Sequence, residues 1–194
     1  MWWEFFSPHL IKNNMPSIFV ISDTWFNRLL VDDPNVNVVD NNEHIIQVWN
    51  ETVEPGDKVY VLGGFGIGDL YHIITKLNGE IHILANYFNA DEYMFIENMR
   101  TEINNSVDPE FKSRIIFENS QIQVLPEVDA VLSYFPLETW CGKSTGTYLF
   151  HGFTQNTDLV DHNISCVASK WQNRPINITK VQGNIDVFNN VLGS

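Results

Sequence analysis

The sequence predicts an α/β fold, and three observations support this class. Short apolar runs of the buried-strand type alternate with stretches of helical spacing over the first half of the chain. The chain has 194 residues, of which 44% are hydrophobic and 13% aromatic, so it can bury a core as one domain. Strands that alternate with helices pack as layers, with the helices against the faces of a largely parallel sheet.

The first half contains three predicted strands and three predicted helices. The strands are the continuous apolar runs at residues 18–21, 59–62 and 81–84. The first helix covers residues 43–52, where Asp40 to Asn42 provide a cap. Its apolar face is formed by Ile45, Ile46, Trp49 and Val53. Two further helices are predicted over residues 69–77, ending at Asn78-Gly79, and over residues 90–103.

The second half is richer in short strands. Residues 114–118 and 121–125 flank Asn119-Ser120, which predicts a β-hairpin. Four more short strands follow, at residues 130–133, 147–150, 164–168 and 176–179. No repeat, linker or low-complexity stretch interrupts the chain. We therefore expect a single domain over residues 17–194, preceded by an aromatic-rich extension over residues 1–16.

Charge and composition limit the classes of partner. Asp and Glu number 24 against 11 Lys and Arg, so the formal net charge is −13. A protein that binds a phosphate backbone needs a basic face, so direct nucleic-acid binding is not expected. The N-terminus lacks the pattern of a signal peptide and no apolar run could cross a bilayer, which predicts a cytoplasmic protein with no membrane contact. Cys141 and Cys166 are predicted to be reduced core thiols.

The predicted strand ends carry the most informative residues, because ligands of α/β folds bind beyond the carboxyl ends of the strands. Five blocks stand at these ends. They are Ser22-Asp23-Thr24-Trp25-Phe26, Leu62-Gly63-Gly64-Phe65, Leu84-Ala85-Asn86-Tyr87-Phe88, Leu132-Ser133-Tyr134-Phe135-Pro136-Leu137 and Phe150-His151-Gly152-Phe153-Thr154-Gln155.

In order and spacing, these blocks resemble the five motifs of the calcineurin-like metallophosphoesterases, in particular the small bacterial and phage members. Those motifs read roughly S-D-T-H-F, L-G-D-F, L-G-N-H-D, L-S-H-Y-P-L and H-G-H-T-H. The stretches at residues 50–65, 77–79 and 171–176 resemble the family between its motifs, so the resemblance covers residues 17–180. It implies a sandwich of two mixed β-sheets flanked by helices, in four layers with the order αββα.

The metal ligands of the family are mostly absent. The family holds two metal ions with Asp, His, a bridging Asp, Asn and three further His. Of these positions, the resemblance keeps Asp23 and Asn86. The others are changed to Trp25, Gly64 at the bridging position, Tyr134, Phe153 and Gln155. The catalytic His of the family corresponds to Tyr87, and its Asp neighbour corresponds to Phe88.

These changes predict that the catalytic centre of the family has been lost in this chain. One carboxylate and one amide cannot hold two cations, and without metals no hydroxide is activated and no phosphoryl oxygen is clamped. The aromatic replacements favour packing in the former cleft over binding of a charged ester. We therefore expect no cofactor and no catalytic residue. His151 is expected to be structural, because it corresponds to a position of the family that binds no metal.

Two alternative interpretations would keep a ligand-binding site at the strand ends. A rebuilt site for one metal at Asp23, Asn86 and Tyr134 would make the chain a phosphodiesterase, since Tyr can bind iron. The glycine-rich run at residues 63–68 resembles a phosphate loop by eye and would suggest a metal-free module that binds a nucleotide, although it lacks the Lys-Ser/Thr of a P-loop.

The leading hypothesis is a non-catalytic regulator that binds a protein. The likeness to phage members suggests a phage product that inhibits a host protein, and size, acidity and Asn/Ile bias are similar to staphylococcal-type phage inhibitors that bind the RNA polymerase sigma subunit. A basic partner suits the charge of the chain. Two groups of residues are candidates for the interface: the aromatic Trp2, Trp3, Phe5 and Phe6, and the acidic Asp91, Glu92, Glu97 and Glu102.

Overall fold

The computed structural model describes residues 15–28, 38–84, 90–153 and 162–179. Most of the predicted N-terminal extension, including Trp2, Trp3, Phe5 and Phe6, lies outside these ranges. The described residues form nine strands: β1 (Ile18–Ile21), β2 (Lys58–Val61), β3 (Glu80–Leu84), β4 (Ile115–Glu118), β5 (Ile122–Leu125), β6 (Ala130–Ser133), β7 (Tyr148–His151), β8 (Asn163–Ser165) and β9 (Ile176–Asn177). Four α-helices accompany them: α1 (Val38–Thr52), α2 (Tyr71–Ile74), α3 (Ala90–Asn105) and α4 (Pro109–Ser113).

The strands form two mixed sheets, so the α/β class is confirmed. The first sheet has the order β4-β3-β2-β1-β9, in which β1 to β4 are parallel and β9 is antiparallel to β1. The second sheet has the order β5-β6-β7-β8, in which β5 is antiparallel to β6 and the other pairs are parallel. Continuous apolar runs in β1 and β2 fit strands that are covered on both faces.

The predicted hairpin around Asn119-Ser120 is wrong. β4 is parallel to β3 in the first sheet, whereas β5 is antiparallel to β6 in the second sheet. The short connection therefore carries the chain from one sheet to the other. Turn residues between two apolar runs do not by themselves distinguish a hairpin from such a crossing, because local sequence does not encode which strand becomes the neighbour.

Three apolar clusters define the layers. The largest joins one face of the first sheet to the helices and includes Trp49 of α1, Ile74 of α2, Met99 of α3 and Phe111 of α4. The second lies between the two sheets. The third lies on the outer face of the second sheet, where Trp140 and Leu137 cover Val131 and Leu149. Among the described residues this outer cover is a loop and no α-helix, so the fourth, helical layer of the predicted sandwich is not seen there.

Several predicted boundaries differ from those in the structure. α1 begins at Val38, so the predicted cap residues lie inside the helix. Asn42 instead links α1 to the loop after β1: its Oδ1 accepts the Asn27 N–H at 2.9 Å, and its Nδ2 donates to Asn27 Oδ1 at 2.7 Å. The helix predicted over residues 69–77 shortens to the single turn of α2, and α4 was not predicted.

The two cysteines are both free thiols, but they differ in burial. Cys166 is fully buried, as predicted for a core thiol, whereas Cys141 is exposed, so its predicted core position is wrong. Within the described part of the chain, no helix combines the length and the apolar character that crossing a membrane requires.

Candidate functional site

The carboxyl ends of strands from both sheets meet at one edge of the molecule. Ser22, which follows β1, donates its N–H to Cys166 O at 2.9 Å and accepts the Ala168 N–H at 2.8 Å, so β1 continues beside the end of β8. Its hydroxyl donates to Gly152 O at 3.0 Å, directly after β7. The edge therefore brings together the blocks that follow β1, β2, β6 and β7, which is where ligands of α/β folds bind.

The loop after β1 is fixed against the loop after β2. The backbone N–H groups of Asp23, Trp25 and Phe26 donate to the carbonyls of Gly63, Gly64 and Phe65 at 2.8–2.9 Å. Asp23 and Trp25 both have left-handed backbone conformations, with φ of 53° and 46°. Such conformations are uncommon for residues with side chains and persist where neighbouring structure holds them. The two loops therefore form one tightly connected unit.

Gly64, at the position of the family's bridging Asp, leaves no room for a side chain. Its φ is +63°, and a Cβ built on its backbone would collide with Asp23 Oδ1 and lie 2.7 Å from Asp23 Cα. The Asp23 carboxyl group thus occupies the space that a side chain at position 64 would need. The residues present do not fit the two-metal centre that the family resemblance implies.

Asp23 carries an unusual carboxyl group. Burial is the main cause that raises its pKa to about 7, and the nearby Glu92 carboxylate adds to the shift. Asp23 Oδ1 is buried and has no hydrogen-bond partner among the described residues. A carboxyl group in this position keeps its proton to a much higher pH than an ordinary aspartate does.

Glu92 lies inside the protein and contributes to the site in a way that sequence reasoning missed. Its side chain is only 2% exposed, and its Oε1 accepts the Phe65 N–H at 2.7 Å. The first turn of α3 is thereby attached to the loop after β2. The prediction that Glu92 belongs to an exposed acidic surface is wrong, because helical periodicity alone did not show which side of α3 faces the sheet.

An aromatic cluster occupies the ends of β6 and β7. The Tyr134 ring centroid lies 4.9 Å from that of Phe135 and 6.1 Å from that of Phe153, and Phe135 lies 5.5 Å from Phe153. Tyr134 also packs against the backbone of Gly152. The structure therefore brings together two of the predicted aromatic replacements, Tyr134 and Phe153. Phe153 remains 40% exposed, so the cluster reaches the surface.

Trp25, which the resemblance aligns with the first-motif His, forms a cation–π contact. The guanidinium of Arg28 lies 4.9 Å from the centroid of the Trp25 ring, which is a cation–π distance. An indole ring in this arrangement has no lone pair for a metal ion.

His151 is fully buried at the end of β7. Burial lowers its pKa to about 4, and a hydrogen bond to the backbone of Phe153 opposes part of that shift. The imidazole is therefore neutral at neutral pH, which fits the structural role expected for it.

The glycine-rich run after β2 is explained by close packing. A Cβ at Gly66 would lie 2.6 Å from the Phe26 carbonyl oxygen, and Phe65 between the glycines is fully buried. These glycines allow the loops after β1 and β2 to approach each other. Two N–H groups of this run are already bonded inside the protein, that of Phe65 to Glu92 Oε1 and that of Ile67 to the Phe26 carbonyl. These bonds disfavour the nucleotide-loop alternative.

Several predicted site residues lie outside the described ranges: Asn86, Tyr87, Phe88 and Gln155. Among the residues that the structure does describe, no group of three or more His, Cys, Asp or Glu side chains is arranged to hold a metal ion.

The acidic residues predicted as an interface, Glu92 apart, lie along α3. Asp91 and Glu102 are exposed, and Glu97 is partly exposed with its carboxylate 3.5 Å from Arg100. Two large apolar side chains lie among them: Tyr93 is 43% and Met94 is 63% exposed. This exposed side of α3, with Asp91, Tyr93, Met94, Glu97 and Glu102, is named the α3 face below.

The chain matches no protein family and no curated protein. It is similar to a solved structure described as the crystal structure of the Protein of Unknown Function AQ665 from Aquifex aeolicus. That likeness has a TM-score of 0.58 and 16% sequence identity, and it covers 90% of this chain and 100% of that chain. At this identity the similarity concerns the fold alone.

Proposed function

We propose that this chain is a non-catalytic protein built on a calcineurin-like phosphoesterase scaffold and that it acts by binding another protein. The observation that carries the proposal is the contact between Gly64 and Asp23. In an enzyme of that family, a carboxylate at position 64 would bridge two metal ions. Here the backbone at Gly64 has closed onto Asp23, and a side chain there would collide with it.

The other changed positions support the same conclusion. Trp25 packs with Arg28, and Tyr134 and Phe153 form an aromatic cluster. Each of these rings replaces a metal ligand of the family with a group that packs by apolar contact. An exposed aromatic cluster at the former active-site edge suits protein recognition better than it suits hydrolysis of a charged ester.

The α3 face is the proposed contact with a basic partner. Its carboxylates would steer a positively charged surface, and Tyr93 and Met94 would supply apolar contact once the partner is bound. In the specific form of the proposal, the chain is a phage product that binds the sigma subunit of a host RNA polymerase and inhibits transcription. Electrostatic attraction to a DNA-reading domain, which is basic, supports that choice of partner.

Binding to purified sigma subunit tests this proposal. The double variant Asp91→Lys and Glu102→Lys should weaken binding at least about tenfold, because it reverses the charge at the contact. Glu54→Lys is the control, since Glu54 is equally exposed but lies just after α1. Absence of binding by the unmodified protein would refute the specific partner, and equal losses in the variant and the control would refute the α3 face as the contact.

One observation favours a second candidate, a phosphodiesterase with one metal ion. Asp23 Oδ1 is buried and lacks a hydrogen-bond partner among the described residues, and a bound cation would provide one. Calorimetric titration with Mn²⁺ tests this alternative. Saturable binding near one equivalent that is lost in Asp23→Asn, but retained in the exposed-site control Asp69→Asn, would favour it over the non-catalytic proposal.

A further inference from the structure

A second concave site lies at the opposite end of the second sheet. An open groove of about 530 Å³ borders the residues that precede β7 and β8. It is lined by Thr139, Trp140, Gly142, Lys143, Ser144 and His162. Because these residues lie at the amino ends of β7 and β8, the groove is separate from the edge that carries Asp23 and the aromatic cluster.

The six described lining residues are rich in hydrogen-bond donors, and none of the six carries a carboxylate. Lys143 provides a positive charge, His162 provides ring nitrogens that can form hydrogen bonds, and Ser144 and Thr139 provide hydroxyl groups. Lys143 Nζ donates one hydrogen bond to Glu138 O at 2.7 Å, which leaves two further N–H donors. Among these six described residues the side chains are neutral or cationic, in a chain whose net charge is −13.

The loop that presents Lys143 is held in one conformation. Gly142 and Gly146 have left-handed φ angles of 79° and 96°, and a Cβ at Gly142 would collide with the Thr147 side chain. The Trp140 indole N–H donates to Thr147 O at 2.7 Å. Lys143 Nζ then lies 4.7 Å from the centroid of the Trp140 ring. These contacts position the ammonium group before any ligand arrives, which reduces the entropic cost of binding.

His162 is positioned from the other side of the groove. Its ring packs edge-on against Tyr148 of β7, with 4.8 Å between the ring centroids. The groove therefore has a donor-bearing side chain on each of its two bordering segments.

We propose that this groove binds a small phosphate monoester. The phosphate group would accept hydrogen bonds from Lys143, His162 and the nearby hydroxyl groups, because anions are bound most strongly by charged donors. The volume exceeds what a phosphate ion needs and lies in the usual range of small-molecule sites, about 300–1,000 Å³, so an organic remainder can also be held. This inference does not depend on the function proposed above.

The test is a titration followed by NMR of the ¹⁵N-labelled full chain, with the amide signals of Gly142 and Gly146 as reporters. The probes are inorganic phosphate, glycerol 3-phosphate and neutral glycerol, all at constant ionic strength. We expect saturable shifts with both phosphates, tighter binding of the ester, and no shift with glycerol.

Two lysine variants test whether binding depends on Lys143 itself or on positive charge in general. Lys143→Met should weaken binding of glycerol 3-phosphate by about tenfold or more, the effect of losing a charged hydrogen bond. Lys112→Met is the matched control, because Lys112 Nζ also donates to a backbone carbonyl at 2.7 Å but does not line the groove. His162→Gln provides a second variant in case the Lys143 variant does not fold.

Three results would overturn the proposal. The first is the absence of saturable shifts with glycerol 3-phosphate in the unmodified protein. The second is an equal loss of affinity in the Lys143 and Lys112 variants, which would indicate a general charge effect. The third is binding of inorganic phosphate that is as tight as binding of the ester, because the organic remainder would then contribute nothing to the affinity.

Discussion

At the residue scale, Gly64 and Asp23 explain most of what distinguishes this site. The two residues share one space: the glycine has no side chain, and the Asp23 carboxyl group occupies the volume that a side chain would require. The sequence predicted the loss of a ligand at position 64, because a glycine has no donor atom. It did not predict that the backbone would close over the position, because the distance between two loops depends on tertiary packing.

Gly64→Asp should therefore not restore a metal site. We expect it to lower the free energy of unfolding by about 2–5 kcal/mol, from the left-handed conformation and the collision with Asp23 together. Gly56→Asp is the matched control, because a Cβ at Gly56 meets no atom within 4 Å. Its effect should stay within about 0.5 kcal/mol. Urea unfolding measures both, and equal stability of the two variants would contradict the packing described here.

Asp23 should also make stability depend on pH. Its pKa is about 7 in the folded protein, above its ordinary value of 3.8, so the folded state binds a proton that the unfolded state has released. This contribution to stability is complete below pH 3.8 and is lost as the pH rises through 7. Asp23→Asn cannot lose a proton, so its stability relative to the unmodified protein should increase from pH 4 to pH 7 and then level off.

Urea unfolding of both proteins across that pH range checks this prediction. The difference should grow by at most about 1.4 kcal/mol per pH unit. Asp69→Asn serves as the control, because it removes a carboxyl group that is exposed and not buried. A difference between Asp23→Asn and the unmodified protein that does not vary with pH would show that Asp23 is not buried as described.

At the scale of elements, strands of continuous apolar sequence were the easiest to predict. Residues 18–21 form β1 with the predicted bounds, and residues 130–133 form β6 with the predicted bounds. The pairing of the strands was harder to predict, as the crossing of the chain from one sheet to the other between β4 and β5 shows. The start of α1 was misplaced because Asn42 resembles a cap residue, whereas in the fold it makes a tertiary contact with Asn27.

The Asn27–Asn42 pair gives a prediction at this scale. Asn42→Ala should destabilise the protein by about 1–3 kcal/mol, because it leaves the Asn27 N–H and side-chain oxygen without their partner. Gln47→Ala, on the exposed side of the same helix, should change stability by no more than about 0.5 kcal/mol. Thermal unfolding of both variants measures these changes in stability. If Asn42→Ala does not lower the stability, the two asparagines do not hold α1 in place.

At the scale of the whole molecule, the fold and the site differ in how far the sequence could predict them. Alternation of strands and helices was enough for the α/β class. The structure adds that the blocks after β1, β2, β6 and β7 meet at one edge. Glu92 was not predicted as an interior residue, because acidic residues in a helix are usually solvated. The groove at Lys143 and His162 was not predicted either, since the two residues precede different strands and come together only through the pairing of β7 with β8.

The net charge of −13 also acquires a clearer meaning at this scale. Two carboxyl groups, those of Asp23 and Glu92, lie at the edge where the strand-end blocks meet, and Glu92 accepts a backbone N–H there. Most of the predicted acidic interface is instead displayed along α3. This exposed part of the charge is the basis for the proposed contact with a basic partner.

The most direct test of the central claim is hydrolysis of bis(p-nitrophenyl) phosphate in the presence of Mn²⁺, measured for the unmodified protein and for Asp23→Ala. Because no metal centre is expected, both proteins should release p-nitrophenol at the rate of the Mn²⁺-containing buffer alone. Turnover above that rate in the unmodified protein, abolished in Asp23→Ala, would contradict the account and show that a working metal centre has been rebuilt around Asp23.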